Sequence, residues 1–474
     1  MAFVPDDDPR MIDASAEKRF FIEMLTKDIE LLPAIADLVD NSVDGARAGT
    51  RALSEYRIEI TASGDRFEIV DNAGGISADI ARNYAFKFGR PSAFKGTPGS
   101  VGQFGIGMKR AIFKLGTHFR VESAFAAPTP GASSMFTVEE DVDSWEKTND
   151  WTFRFSSLTE SADLPDGRSS GTTITVTKLH PSIAEDLSDD ATLAQLRLEL
   201  ATRHQRSIVN GLTIVVNGQP LGANQPVLQS SDTYSPVAEE FDVDTGNGTV
   251  HVRLVAGTIG PVDRTVDEGR AQNFQNPGAA GWYLYCNDRL LLAGDRSAIT
   301  GWGGTAAAYH PQYRNFRGYV FLDAEDASLL PWNTTKTAVD RDHPVFRRVA
   351  TEMKKALVEV QSIINRVKAE TARWVDTNKD REERGETPLP ATALLAAAES
   401  APPVRLEAIT TRSSATAPPS HVFPSKVKAD PKIQRIQYVV DLDRYNRLAK
   451  VLNAVNGSDL GRITFDYVWD AEID

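Results

Sequence analysis

The sequence predicts an α+β protein of two or three domains, and three observations carry that expectation. Apolar residues recur at helical spacing from Ile29 to Ala48, and two short alternating stretches follow directly, Tyr56 to Thr61 and Arg66 to Val70. A glycine-rich run, Gly99 to Lys109, then opens a further helix before alternation returns at Thr172 to Thr177. At 474 residues the chain exceeds what one core usually organises. Its 41% hydrophobic and 25% charged residues are those of a globular protein rather than a disordered one.

In chain order, the first helix places Leu31, Leu32, Ile35, Leu38 and Val39 on one stripe, tolerates Pro33 near its start, and meets Gly49 just beyond its end. The two strands after it are joined by a turn at Ser63-Gly64-Asp65. Glycines and basic residues fill Phe88 to Gly107, Met108 to Leu115 is helical, and Thr172 to Thr177 closes a first α+β unit over 1–180. Ser188-Asp189-Asp190 is a helix-start signal before Leu193, Leu196, Leu198 and Leu200, and opens a second unit over 181–345. Strands are expected there at Leu212 to Val216, Thr249 to Leu254, Trp282 to Tyr285 and Tyr319 to Leu322. A long amphipathic helix is expected from Pro344 to roughly Trp374, an element of its own over 346–375, with Val345, Val349, Met353, Leu357, Val360 and Ile364 on one stripe, as a strut or a dimer seam. The Ala-, Pro-, Ser- and Thr-rich stretch at 376–430 reads as a flexible linker. Strand Ile433 to Val440, helix Asp441 to Ala454 and strand Gly461 to Val468 make a small β-α-β element over 431–474, too small for a core of its own and expected to dock on another domain or a protein partner.

Composition removes several function classes. No stretch approaches the run of about 18 apolar residues needed to cross a membrane, and the acidic start, Met1 to Arg10, is unlike a signal peptide. A cytoplasmic protein without membrane contact is expected. Cys286, the single cysteine, makes neither an internal disulfide nor a zinc site, and the seven histidines lack metal-ligand spacing. The net charge of −13 argues against nucleic-acid binding by the whole surface. Yet Ile80 to Val121 holds no acidic residue while carrying Arg82, Lys87, Arg90, Lys95, Lys109, Arg110, Lys114 and Arg120, so an anion is expected nearby.

Three motifs carry chemistry. Asp37 and Asn41 lie four residues apart on one helix face, with Asp44 nearly in line. The acid can orient and deprotonate a water while the amide oxygen holds Mg²⁺, although a solvated polar face would look the same. In Val70-Asp71-Asn72-Ala73-Gly74-Gly75-Ile76, an acid at a strand end can accept from an exocyclic amine and the glycines let backbone pass a flat base; an ordinary turn would also read so. In Gly99-Ser100-Val101-Gly102-Gln103-Phe104-Gly105-Ile106-Gly107-Met108-Lys109, backbone N–H groups at a helix start, with Lys109, suit phosphates. It is neither a P-loop nor a dinucleotide fingerprint, for want of a Gly-Lys-Ser/Thr ending or a strand leading into it.

In their order and spacing, with Gly171-Thr172 entering a strand, these motifs resemble the GHKL ATPases, the superfamily of gyrase B, MutL, the ninety-kilodalton heat-shock chaperone, histidine kinases and the microrchidia proteins. The look is closest to the microrchidia kind, through Phe88-Gly89-Arg90 before the lid, Gly107-Met108-Lys109-Arg110 closing it, and Trp282-Tyr283-Leu284-Tyr285-Cys286-Asn287-Asp288-Arg289-Leu290. The resemblance, over about 1–345, implies a Bergerat-type α/β sandwich followed by a transducer-like α/β domain, with ATP and Mg as cofactors. It implies Asp37 as catalytic base and Asn41 as Mg ligand. Asp71 and Thr172 would recognise adenine, with Gly75 and Ile76 shaping the base pocket, and Gly102, Gln103, Phe104, Gly105, Ile106, Gly107 and Lys109 would lie over the phosphates. Pro331-Trp332-Asn333-Thr334-Thr335-Lys336 resembles the transducer loop whose lysine reaches the γ-phosphate; without the family, Lys336 is an exposed turn lysine. Two departures stand out: Asp37 replaces the usual glutamate, and Ala73 the first glycine of the adenine motif.

On that reading ATP closes the lid and draws two copies into a homodimeric clamp, acting on DNA or in antiviral defence, with Phe20, Phe21 and Met24 in an arm across the dimer. A nucleotide-sensing adaptor that recruits a protein through its C-terminal tail is the alternative. A histidine-kinase-like phosphotransferase fits less well, since none of the 36 residues before Asp37 is histidine.

Overall fold

The apolar stripe at the chain start folds as two helices, α1 (Lys18–Lys27) and α2 (Leu31–Ala48), the second burying Ala34, Ile35, Leu38 and Val39. The computed structural model describes residues 17–89, 100–101, 105–127, 129, 131–164, 169–223, 225–260, 280–304, 306–333, 336–423 and 439–472. These fall into two units, 1–421 and 422–474.

The first sheet is built from β1 (Arg57–Ala62), β2 (Arg66–Asp71), β3 (Gly116–Phe125), β4 (Ser133–Asp141), β5 (Phe155–Ala162), β6 (Gly171–Leu179), β7 (Thr213–Val216) and β8 (Gln219–Pro220). Its order is β5-β4-β3-β6-β2-β1-β7-β8, antiparallel except where β7 runs parallel to β1. Strict alternation buries Ile58, Ile60, Phe67, Ile69, Val121 and Val176 on one face against α2 and α3 (Gly107–Leu115), so this is a two-layer sandwich. The sheet extends past the expected boundary at residue 180: β7, assigned from sequence to the second unit, covers the edge of β1 with Ile214 and Val216 buried. Between the two lie α4 (Pro181–Ser188) and α5 (Asp190–Arg203), the latter capped by Asp189 as its sequence signals.

A second sheet combines β10 (Val237–Asp244), β11 (Thr249–Thr258), β12 (Gly281–Cys286), β13 (Arg289–Asp295) and β14 (Phe316–Asp323) in the order β10-β11-β14-β12-β13; β9 (Val227–Gln229) stands apart. Every residue of β12 is buried, because α6 (Pro344–Glu383) covers one face through Val345, Val349, Met353 and Leu357, and Leu228, Leu406 and Ile409 cover the other. This accounts for a run, Trp282 to Cys286, that is apolar without alternation.

Helix α6 spans 40 residues rather than ending near Trp374, because no glycine interrupts it before Gly385, whose φ of +73° suits the terminating turn. The stretch read as a flexible linker is ordered over its described residues, up to 423. Leu389 exchanges backbone hydrogen bonds with the Asn378 side chain, α7 (Ala393–Ser400) follows, and β15 (Pro403–Arg405) pairs with β9. Leu394, Leu406 and Ile409 of this stretch are buried, the last two on the second sheet, and so few anchors in a polar, Pro- and Ala-rich background are why its composition alone reads as unfolded.

In the second unit, α8 (Leu442–Val451) matches the expected helix, but α9 (Gly457–Glu472) replaces the expected strand at Gly461 to Val468. The β-branched and aromatic residues there favour a strand locally. Asn456 Oδ1 accepts from Asp459 N–H and Asp459 Oδ2 from Val455 N–H, a near-reciprocal cap that starts a helix instead. Most of the expected strand Ile433 to Val440 lies outside the described residues.

Candidate functional site

Helix α2 brings its acids to the centre of the first unit. Asp37 and Asp40, three residues apart, face inward and are 2% and 1% exposed, whereas Asn41 is exposed at the helix surface. Arg110, in the first turn of α3, donates from Nη2 to Asp37 Oδ2 at 2.5 Å. Lys336 Nζ lies 3.6 Å from Asp37 Oδ1 and donates to Asp40 Oδ2 at 3.2 Å, and Arg289, at the start of β13, pairs with that same oxygen of Asp40. Lys336 is therefore a buried residue, 5% exposed with φ +51°, and not an exposed turn lysine.

Two carboxylates face three cations in this cage, and the charge of Asp44 also acts on Lys336. Burial raises the pKa of Asp37, but the charges of Lys336, Arg289 and Arg110 outweigh it and hold the carboxyl below its usual range. Burial pulls Lys336 down to about 8 and Arg289 to about 10. Asp37 Oδ1 has no hydrogen-bond donor among the described residues. His204 Nε2 stands 3.8 Å from Asp40 Oδ1, but burial, with Arg203 and Lys336, lowers its pKa to about 3, so the ring is neutral and this is not an ion pair. Asp44 turns elsewhere and accepts from Val101 N–H at 2.8 Å.

The strand-end acid is placed by sheet register. Asp71 sits opposite Thr172 on β6, and its Oδ1 accepts from Thr172 N–H at 3.2 Å and Ala73 N–H at 2.9 Å, while Oδ2 accepts from Ser42 Oγ at 2.6 Å. Burial raises the pKa of this carboxyl, offset in part by those donors. Ser42 follows Asn41 on α2, so helix and strand are joined at this carboxylate. Gly75, at φ +71°, passes so close to β3 that a Cβ would stand 2.0 Å from Ala124 O. Ile76 N–H donates to Ser123 Oγ at 2.7 Å, which itself meets Thr172 Oγ1 at 3.1 Å.

Of the glycine-rich loop, Gly102, Gln103 and Phe104 lie outside the described residues. Gly105 has φ +65°, Ile106 precedes α3, and Gly107 begins it with its α-carbon edge toward Asp37; a Cβ there would be 3.3 Å from Asp37 Oδ2. Lys109, expected to reach phosphate, is 3% exposed and turned inward. Its Nζ donates to Ala85 O at 2.7 Å and to Gly105 O, and burial lowers its pKa to about 7. The amine thus ties Ala85 to the start of α3.

Much of the basic stretch is likewise engaged within the chain. Arg82 pairs with Glu160, Arg120 with Glu122 and Glu139, and Lys114 donates to Thr26 O, while Arg90 and Lys95 lie outside the described residues. Sequence reasoning passed over Asp40, Arg110 and Arg289 as site residues. The available signal was the inward i, i+3 pairing of Asp37 with Asp40 among Ile35, Leu38 and Val39, which requires cations from elsewhere in the fold. A groove of about 560 Å³ along α6, lined by Gln361, Asn365, Arg366 and Arg373 among others, lies on a different part of the unit.

Asp37 on α2, Asp71 at a strand end and the glycines that open α3 all belong to one two-layer sandwich, with Asn41 turned outward on the same helix as Asp37. Residues 29–172 match the family model described as histidine kinase-, DNA gyrase B-, and HSP90-like ATPase, and this part of the chain is a GHKL-type ATP-binding domain. No curated protein matches the sequence. Among the described residues no helix is long and apolar enough to cross a membrane.

Proposed function

We propose that this chain binds ATP with Mg²⁺ and hydrolyses it, driving two copies together as an ATP-gated clamp. The observation that carries the reading is the buried cage at Asp37, where Arg110 and Lys336 flank the carboxylate beside Gly107 of the glycine loop and Asp37 Oδ1 accepts no hydrogen bond among the described residues. Such a site favours a polyanion beside an acid that can take a proton from water. Asp71 and Thr172 would hold adenine, Gly75 admitting it where a side chain would collide with Ala124. Asn41, exposed one turn beyond Asp37, would hold Mg²⁺, which supplies charge neutralisation to the phosphates when bound. Lys336 would meet the γ-phosphate, and Gly105, Ile106 and Gly107 would offer backbone N–H groups to the phosphates.

A second reading, an ATP-binding adaptor with little turnover that recruits a protein through residues 422–474, is favoured by one feature. Three cations keep Asp37 ionised but weakly basic, and a weak base abstracts protons slowly. Phosphate release with Mg-ATP separates the two. We expect turnover, reduced by about two orders of magnitude or more in Asp37→Ala and Asn41→Ala. Tight nucleotide binding without release would instead favour the adaptor. Stimulation by DNA that falls steeply with salt would add DNA as a partner.

A further inference from the structure

Asp40 lies between the proposed base and the proposed metal ligand, yet no role in that chemistry requires it. It is the most enclosed of the α2 carboxylates and collects two cations from the second domain, Arg289 on β13 and Lys336 on the loop before α6. Lys336 Nζ is closer to Asp40, at 3.2 Å, than to Asp37, at 3.6 Å. The amine is thus stationed beside Asp37 by the neighbouring carboxylate of Asp40.

The loop bearing Lys336 supports this station. Its backbone is pinned by Lys336 N–H to Asn333 O at 3.0 Å, and the Asn333 side chain accepts from Thr337 N–H at 2.9 Å. The β12–β13 turn that delivers Arg289 is fixed onto α2 as well. Asp288, at φ +67°, pairs with both Arg47 and Arg206, and Arg47 also donates to Asn287 O. Two separate pieces of the second domain therefore converge on one carboxylate of the ATP-binding helix. Without Asp40, Arg289 and Lys336 would repel each other in a dry site, and Asp37 alone would face all three cations.

We propose that Asp40 is the positioning residue for Lys336, holding its amine at the γ-phosphate end of the cleft and so joining the second domain to nucleotide recognition. This rests on the ATPase reading above. Asp40 touches no substrate in this scheme and acts through Lys336, so its effect must vanish when the lysine is gone. A double-mutant cycle measures that dependence.

The experiment compares wild type, Asp40→Asn, Lys336→Met and the double variant by steady-state phosphate release and by binding of ADP and of a nonhydrolysable ATP analogue. Asp40→Asn should lower kcat about tenfold and erode the preference for the triphosphate over ADP, leaving ADP affinity within about twofold. Added to Lys336→Met, it should change kcat by no more than about twofold. Because Asp40→Asn leaves Arg289 without its carboxylate and can fail to fold, Asp40→Asn with Arg289→Met is made alongside, removing the pair together. It should show the same loss of triphosphate preference. Multiplicative losses in the cycle, or ADP and ATP-analogue affinities falling in parallel, would overturn the role of Asp40. A wild type that neither binds nor turns over nucleotide would instead sink the ATPase reading beneath it.

Discussion

At the scale of single residues, function and stability meet in the buried charges. His204 is enclosed next to Asp40, and its pKa of about 3 lies below the usual 6.5. Below pH 6.5 the unfolded chain takes up a proton that the native state does not, so this contribution is complete above 6.5 and is lost as pH falls toward 3. Urea midpoints at pH 7 and pH 5 should show wild type losing about 2 kcal/mol more than His204→Gln. Equal losses would mean that the ring is protonated in the folded state. The histidine was not legible as special, since nothing in its sequence neighbourhood announces burial against a carboxylate. By contrast Asp71 and Gly75 were legible, because an acid at a strand end and a glycine at positive φ are local necessities.

At the scale of elements, the residues that read correctly are those whose pattern is local. Helix α2 and strands β1, β2 and β6 follow from periodicity, and α5 from its cap. The stretch 386–421 was misjudged because distant partners order it, and α9 because a local cap at Asn456 and Asp459 outweighs β-branched composition. The lid is an intermediate case. Gly105 and Gly107 stand at the start of α3 as expected, but Lys109 folds back to join Ala85 O and Gly105 O rather than facing outward. Lys109→Met keeps the length and apolar stem while freeing both carbonyls, so Ala85 and the start of α3 should separate. A rise in KM for ATP of about tenfold, with ADP release accelerated, is the expected outcome. An unchanged KM would show that the lid is held by other contacts.

At the scale of the whole molecule, the convergence of Arg289 and Lys336 on Asp40 was the least legible feature, because they lie more than 240 residues from it in sequence and, although the stretch Pro331 to Lys336 singles out the lysine, nothing local pairs either cation with Asp40. The same geometry frames how ATP would bring two copies together. Helix α1 is fixed to its own body on one side: Lys18 Nζ donates to Trp145 O, Thr148 Oγ1 and Asp150 O, and the Phe21 ring sits 5.1 Å from Phe88 and 5.4 Å from Trp151. On its other side Phe20 and Met24 are 60% and 55% exposed. Because Phe88 packs on Phe21, a rearrangement of the first sandwich around bound nucleotide would be felt by α1 through ring contacts and would reorient its exposed pair. Apolar side chains held in one geometry lose little entropy when buried by a second copy. Light scattering should therefore give a monomer in the apo and ADP states and a dimer with a nonhydrolysable ATP analogue and Mg²⁺. Phe20→Ser with Met24→Ser should weaken that dimer about tenfold or more while leaving single-copy nucleotide affinity unchanged. A monomer with the analogue would remove the clamp and leave an ATPase or sensor working as one chain. A dimer indifferent to both substitutions would move the interface away from α1.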